Sequence, residues 1–357
     1  MIQLVVMCAL MAVDGGADAG AGDAGVVATD GGVAATWRLS QKLGKGKPER
    51  EALIADLIRK GGGVGETELT REEAEAILDD PRAEAIYGDK TISIVAPSMI
   101  TRQRQGHIDL MTKFLQPERV EAGNAFKKEK ETILAATEKK TGVDREVIIG
   151  ILMWESKLGT ITGDWVAFNA LASQAFFIDE ANAEALRSTD EKALLTVALP
   201  KKKKGEKLTE EELAKVAAAR EELVKKQAGR VESIRSRGRK NLLSLIRQCK
   251  SRGIDVFTMK GSWAGALGFP QFMPASLRWA EDGNADGKID LFEMDDAIAS
   301  VGKYLQAANF KRSAREAIYD YNHEQAYVDG VLAFASALKN GLDAGVPGPA
   351  PDAGKTP

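Results

Sequence analysis

The chain has 357 residues, of which 44% are hydrophobic and 28% are charged, and its formal net charge is −3. This composition is that of a globular protein with two or three ordinary domains, or with one large composite domain. The small net charge gives no overall basic field, so we expect no nucleic-acid partner. Two cysteines and two histidines are too few for a disulfide framework, a cysteine-based zinc site or a histidine-rich metal centre.

The chain begins with an apolar stretch, residues 1–13 (MIQLVVMCALMAV), which is too short to span a bilayer. Its length fits the apolar part of a secretory signal, so the sequence predicts export. Cys8 resembles a lipoprotein acylation site, although Met7 is larger than the small residue expected before it. Attachment to the outer or inner membrane through the N-terminus therefore stays open, beside a soluble exported form.

Two segments outside the core of the chain have compositions that do not favour folding. Residues 14–36 consist mainly of Gly, Ala and Asp, and residues 343–357 are similarly poor in large apolar side chains. Such segments bury too little apolar surface to offset their ordering entropy, so we expect a disordered linker and a disordered tail. The folded region is predicted over residues 37–342.

Helical patterns dominate that region, and the fold class is predicted to be mainly α. Residues 69–80 carry a capping box, Thr70 with Glu73, followed by apolar residues at helical spacing. The best strand pattern covers residues 90–97 (KTISIVAP). Further helices are predicted over residues 99–115, 117–142, 144–159, 182–199, 211–253, 295–310 and 324–340.

Positive charge is concentrated between Lys201 and Lys250, in the runs KKKKGEK and RSRGRK. The favoured interpretation is a solvated helical hairpin with ion pairs four residues apart, and the alternative is a basic face that grips an acidic polymer. The Lys-rich stretch at about residues 200–210 has the character of an insertion, because the apolar periodicity stops there and resumes after Thr209.

Residues 147–159 (VIIGILMWESKLG) are apolar on nearly every face, which predicts a buried helix with Glu155 near its end. Burial would raise the pKa of this carboxyl group, and a carboxylic acid that stays protonated near neutral pH is suited to general-acid work on a glycosidic oxygen. An equally weighted alternative places Glu155 in water at the helix end, paired with Lys157.

A Gly-rich segment, residues 261–276 (GSWAGALGFPQFMPAS), allows the backbone to approach a ligand closely. Ser262 and Gln271 offer uncharged hydrogen-bonding groups there, and Trp263 and Phe269 offer faces for stacking against sugars. The alternative is a tightly packed contact between helices rich in Gly and Ala. Farther along, Tyr321 and Asn322 are predicted to lie in a loop before a helix.

The stretch DGNADGKIDLFE, residues 282–293, has the spacing of a calcium-binding loop, with oxygen-bearing residues at the ligand positions and Gly at position 6. The chain shows no second such loop, so we expect a single structural ion and not a sensor pair. A metal-free loop of Asx turns is the alternative. The predicted ligands are Asp282, Asn284, Asp286, Lys288 through its backbone carbonyl, and Glu293, with Asp290 at the position that often ligates through water.

The order of these motifs resembles the membrane-bound lytic murein transglycosylase B family, over about residues 69–338. The resemblance rests on E-S-x-x-G at the end of the buried helix, then FNALASQAFF, the Gly-rich segment, the calcium loop, DDAIASVGKYL and YNHEQAYVDGVL. It implies one catalytic region over residues 37–342, with a lysozyme-like core, an additional helical domain and an EF-hand-like loop that holds structural Ca²⁺. It also implies a monomer in the periplasm whose partner is the peptidoglycan glycan strand.

The resemblance implies roles for particular residues of this sequence. Glu155 matches the single catalytic acid/base, which would cleave the β-1,4 bond between N-acetylmuramic acid and N-acetylglucosamine and leave a 1,6-anhydromuramyl end. The metal-ligand positions match the five residues named above. Two alternatives remain, a hydrolytic muramidase on the same fold and a non-catalytic, calcium-dependent wall-binding protein. The positions that match substrate-binding residues are Ser262, Gln271, Tyr304, Tyr321 and Asn322.

Overall fold

A computed structural model of the chain describes residues 38–60, 63, 65–86, 115–180 and 209–341. Several predicted features lie outside the described residues, namely the terminal segments, the strand at 90–97, the helices at 99–115 and 182–199, and the Lys-rich stretch. The described elements are, in chain order, α1 Leu39–Lys42, α2 Pro48–Ile58, α3 Arg71–Asp79, α4 Pro117–Glu129, α5 Glu131–Thr141, α6 Arg145–Ser156, β1 Trp165–Val166, α7 Ala167–Phe176, α8 Glu210–Arg252, β2 Lys260–Gly261, a 3₁₀ helix Pro274–Trp279, α9 Met294–Ala307, α10 Ala314–Tyr321 and α11 Gln325–Asn340.

The mainly α prediction is confirmed, and two helices begin at reciprocal caps. The Thr70 hydroxyl accepts the Glu73 N–H (3.2 Å), and the Glu73 carboxylate accepts the Thr70 N–H (2.9 Å), as the sequence predicted. Thr209 and Glu212 form the same box at the start of α8, which runs 43 residues to a left-handed Gly253. Each box satisfies backbone donors that the first helical turn leaves unpaired.

The helix predicted over residues 117–142 is wrong in one respect, because the structure has two helices there. The helical path is interrupted at Lys130 (φ −101°, ψ 21°), between α4 and α5. The Lys130 ammonium pairs with Asp295 at 2.9 Å. The bend lets α5 pack along α9 while α4 packs against α6 and α11, a tertiary arrangement that a continuous local periodicity does not reveal.

Helix α6 lies at the centre of the fold, in contact with α4, α5, α9 and α11. Every residue from Glu146 to Ser156 is buried, as expected of a helix that is apolar all round. Gly150 lets α6 approach α11 closely, since an added Cβ would lie 3.2 Å from the Val331 carbonyl oxygen. This contact holds α6, which carries Glu155, against α11, which carries Tyr327.

A two-stranded antiparallel ribbon follows α6, with Trp165 opposite Gly261 and Val166 opposite Lys260. It joins the end of α6 to the Gly-rich segment, and α7 packs along α8 behind it. None of the helices in the described part of the chain combines the length and the apolar composition needed to cross a bilayer.

Candidate active site

The carboxyl group of Glu155 lies in the last turn of α6 and is 3% exposed. The helix ends at once after it, because Lys157 adopts a left-handed conformation (φ 48°). The described ion pairs include none between Glu155 and Lys157. The structure therefore has the buried arrangement, and the hydrated alternative for Glu155 is wrong.

Burial raises the pKa of Glu155 to about 8, because the apolar surroundings disfavour the ionised form. The phenol of Tyr327, on α11, faces this carboxyl group and lowers its pKa by a smaller amount than burial raises it. The two groups are close enough to interact but are not aligned as a regular hydrogen bond. No Asp or Glu among the described residues contributes to the shift. Burial therefore favours the protonated form of Glu155.

Two further tyrosines line the same region. The Tyr321 hydroxyl donates to the Pro270 carbonyl (2.5 Å), and the Tyr304 hydroxyl donates to the Asp320 carbonyl (3.0 Å). Their rings meet edge to face, with centroids 4.9 Å apart. Burial raises the pKa of Tyr304 to about 12, and burial together with the charge of Glu155 raises that of Tyr321, so both phenols stay protonated.

Tyr321 and Asn322 occupy a different local structure from the predicted loop. Tyr321 is the last residue of α10, and Asn322 caps that helix with its backbone N–H on the Ile318 carbonyl. Both side chains are buried, with exposures of 8% and 5%. The helix end places them between the Gly-rich segment and α11, which is where Tyr327 lies.

Gln271 is the most constrained residue of the Gly-rich segment, since it is 3% exposed and has a positive φ of 50°. Its amide nitrogen donates to the carbonyls of Gly268 (2.8 Å) and Thr162 (3.2 Å). The second bond ties the segment to the loop that follows α6. Its amide oxygen is buried without a partner, which leaves an acceptor for a ligand.

Ser262 holds a tight turn, where its hydroxyl accepts the Ala266 N–H (3.1 Å) and its own N–H donates to the Ala266 carbonyl (2.9 Å). Trp263 and Phe269, predicted as stacking faces, are half-buried. The Phe269 ring centroid lies 6.3 Å from that of Phe292, so this ring packs between the Gly-rich segment and the predicted calcium loop.

Tyr327 is the site residue that sequence reasoning missed. It is fully buried, and its ring meets that of Trp154 edge to face at 5.1 Å. The signal available was a tyrosine within the apolar stripe of the predicted helix 324–340, where a hydroxyl needs a polar neighbour. Its neighbour is Glu155, and that pairing depends on how α6 and α11 pack.

The predicted calcium loop folds around Asp282, whose Oδ2 accepts the Gly287 N–H (2.9 Å). Its Oδ1 is buried without a partner, and the backbone turns through left-handed conformations at Ala285 and Gly287. The described residues hold no group of three or more Asp, Glu, His or Cys side chains gathered as for a metal. The oxygen donors and the unpartnered Asp282 Oδ1 are of the chemical type that Ca²⁺ prefers. The acidic side chains would have to move closer together to bind the ion.

Asp296, which the ligand pattern does not include, holds the two halves of this loop to α9. Its carboxylate accepts the Gly283 N–H (2.7 Å) and the Asp290 N–H (2.6 Å), and it is 1% exposed. These two hydrogen bonds from α9 therefore support the loop independently of the predicted metal.

Comparison with known proteins gives consistent matches. Residues 66–319 match the family described as Transglycosylase SLT domain. The membrane-bound lytic murein transglycosylase B of Escherichia coli (strain K12) is 26% identical over 207 residues, which are 58% of this chain and 43% of that protein. The match thus spans less than half of that relative's length.

Solved structures show the same fold at lower identity. The E. coli lytic transglycosylase SLT35 in complex with bulgecin A has a TM-score of 0.53 and 18% identity, over 82% of this chain and 93% of that one. The same protein in complex with calcium has a TM-score of 0.53 and 19% identity, with the same coverage. SltB3 from Pseudomonas aeruginosa, in complex with NAG-NAM-pentapeptide, has a TM-score of 0.55 and 16% identity, over 88% and 83% of the two chains. The predicted lysozyme-like architecture is confirmed by these likenesses.

Proposed function

The chain belongs to the transglycosylase SLT domain family, and on that premise we propose that it is a peptidoglycan lytic transglycosylase with Glu155 as its single acid/base. The observation that carries the proposal is the buried Glu155 carboxyl group, whose pKa is raised to about 8. A group that is protonated at neutral pH and titrates just above it is suited to give and then take back one proton.

In the first step, Glu155 donates its proton to the oxygen that joins N-acetylmuramic acid to N-acetylglucosamine. The bond between C1 and that oxygen breaks, and N-acetylglucosamine leaves with the proton. A two-carboxylate glycosidase would place a second acid beside the first, but no described acidic residue influences Glu155. The acetamido carbonyl of the substrate would stabilise the positive charge that develops at C1.

In the second step, ionised Glu155 takes a proton from the C6 hydroxyl of the muramyl sugar, and O6 bonds to C1. The product is a 1,6-anhydromuramyl end, Glu155 recovers its proton, and no water is consumed. Apolar enclosure favours this outcome, because Trp154 and Tyr327, which flank the acid, are both fully buried and exclude competing water.

The substrate is held by neutral groups in this proposal. The Gln271 amide oxygen, buried without a partner, would accept an N-acetyl N–H, and Asn322 and the Ser262 hydroxyl supply further hydrogen-bonding groups. The hydroxyls of Tyr304 and Tyr321 are engaged by backbone carbonyls, so these residues present their rings to the sugars.

We also propose that Ca²⁺ binds to Asp282, Asn284, Asp286, the Lys288 carbonyl and Glu293 as a structural ion. The support is the oxygen donor set and the unpartnered Asp282 oxygen. Four further points remain predictions: export to the periplasm, attachment through residues 1–13, the domain bounds at 37–342 and a monomeric state. Residues 1–13 lie outside the described residues.

Mass spectrometry of digested peptidoglycan tests the reaction directly. We expect muropeptides that end in 1,6-anhydromuramic acid. Reducing N-acetylmuramic acid ends would establish the hydrolytic muramidase in place of the lyase. Binding to sacculi without release of muropeptides would establish a non-catalytic wall-binding protein.

A further inference from the structure

A cavity of about 860 Å³ lies apart from the buried acid, between the C-terminal end of α8, strand β2 and the second half of the predicted calcium loop. Its size is that of a ligand site. Its walls are mainly apolar and carry four charged residues. The lining residues are Arg252, Ile254, Thr258, Met259, Lys260, Leu267, Leu277 and residues 287–292.

The charge around this cavity is unbalanced, with Arg252, Lys260 and Lys288 against Asp290. Among the described residues, neither lysine has an ion-pair partner within 4 Å. Arg252 donates to the Gln248 side chain at 3.3 Å, and burial lowers its pKa. Asp290 offsets one of the three cations, so two positive charges remain in excess on mainly apolar walls, and an anion that binds beside them is stabilised.

One turn, residues 267–272, belongs both to this cavity and to the candidate active site. Leu267 lines the cavity, and the Gln271 amide donates to the Gly268 carbonyl within the same turn. The Phe269 N–H donates to the Leu291 carbonyl (2.8 Å), which joins the turn to the opposite wall of the cavity. The turn that carries Gln271 therefore adjoins the wall of this cavity.

We propose that the cavity binds an anionic peptide with small apolar side chains, the stem peptide carried by the muramyl sugars of the same glycan strand. This inference rests on the proposed function. Stem peptides bear several carboxylates and alanyl methyl groups, which match three cations set in apolar walls. The sugars themselves are neutral, so this concentration of positive charge would not contribute to binding them.

The test uses the double variant Arg252→Gln/Lys260→Gln, which removes two cations and leaves the predicted metal ligands intact. The substrates are glycan strands with their peptides and the same strands stripped by an amidase. For the wild-type chain we expect a lower KM with peptide-bearing strands, by about tenfold if each of the three cations contributes roughly 0.5 kcal/mol. The double variant should lose about fivefold of this preference through KM, with kcat and the KM for stripped strands unchanged.

The matched control is Lys128→Gln/Arg312→Gln, which removes the same charge from exposed side chains outside the cavity and should keep the preference. A preference that is undiminished in Arg252→Gln/Lys260→Gln, or a wild-type chain without one, would overturn the proposal. Calorimetry with the free tripeptide L-Ala-γ-D-Glu-diaminopimelate measures binding of the peptide independently of strand cleavage. If no strand is cut but the wild-type chain binds this peptide and the double variant does not, the proposed function fails while the cavity assignment stands.

Discussion

The phenol of Tyr327 faces the carboxyl group of Glu155 across the contact between α11 and α6, and the two side chains are 0% and 3% exposed. Burial keeps the acid neutral, whereas the phenol favours the ionised form. The two effects oppose one another, and burial is the larger. The proton affinity of Glu155 is therefore set by helix packing and not by a neighbouring charge.

Glu155→Gln should abolish wall digestion while the fold is kept, because an amide of the same shape cannot donate the proton. A loss of roughly 10²–10⁴-fold in kcat is the usual contribution of a general acid. The matched control is Glu146→Gln, a buried carboxylate on the same helix that pairs with Lys127 at 2.6 Å. It should lower stability and leave digestion nearly intact. Equal losses of activity in the two variants would contradict the assigned role.

The pH dependence of kcat/KM should follow the same carboxyl group. The proposed mechanism requires protonated Glu155, whose pKa is about 8, so the rate should be level below this pH and fall above it. Because Tyr327 lowers the pKa of Glu155, Tyr327→Phe should move the alkaline limb to higher pH. Tyr319→Phe, at a tyrosine that is 41% exposed, is the control and should leave the limb in place. If the alkaline limb does not move in Tyr327→Phe, Tyr327 does not influence the pKa of the group that controls activity.

Stability should also depend on pH through Glu155. Below about pH 4.5 both the folded and the unfolded chain hold this proton, and between 4.5 and about 8 only the folded chain keeps it. The free energy of unfolding should therefore decrease as pH rises through this window and level off above it, by a few kcal/mol. Chemical denaturation of the wild-type chain and Glu155→Gln at pH 5 and pH 8 isolates the effect, since other groups titrate equally in both. Parallel changes in the two proteins would show that Glu155 is ionised in the folded state.

The sequence predicts those parts of the fold that local pattern determines. The continuous apolar character of α6 predicts a buried helix, and Thr70 and Thr209 mark helix starts through their own side chains. The same pattern did not decide whether Glu155, near the helix end, is buried or hydrated, and the packing of α11 decides it. The break at Lys130 leaves no local signal, because it exists to let α5 reach α9.

Residues whose role depends on the packing of distant segments are the ones the sequence did not identify. Tyr327 meets Glu155 only when α11 packs on α6, and Asp296 supports the predicted calcium loop from outside its ligand pattern. Their chemical types are ordinary for buried helix positions, so only the three-dimensional contacts single them out.

The close approach of Gly163 to the Gly-rich segment should make it intolerant of a side chain. An added Cβ would lie 2.4 Å from the Gly261 carbonyl oxygen, and the residue has a φ of +86°. Gly46 has a similar φ of +82° but open space around it, so Gly46→Ala measures the backbone cost alone, about 1 kcal/mol. Gly163→Ala should cost a further ~2 kcal/mol or more in unfolding free energy and should lower activity, because the strain falls beside Ser262. Equal costs in urea denaturation would mean that the ribbon can relax without displacing the site.

Calcium, if it binds as proposed, should stabilise the folded chain, because the unfolded chain cannot gather the same ligands. At a concentration 100 times the dissociation constant, a single site contributes ~2.7 kcal/mol, so a chelator should lower Tm by several degrees. Glu293→Gln should abolish this response. Asp295→Asn is the matched control, since Asp295 follows two residues later but pairs with Lys130, and this variant should still respond. The support from Asp296, which accepts two backbone N–H groups of the loop, should keep the metal-free chain folded. A Tm that is the same in chelator and in excess calcium would show that the loop holds its shape by these hydrogen bonds alone.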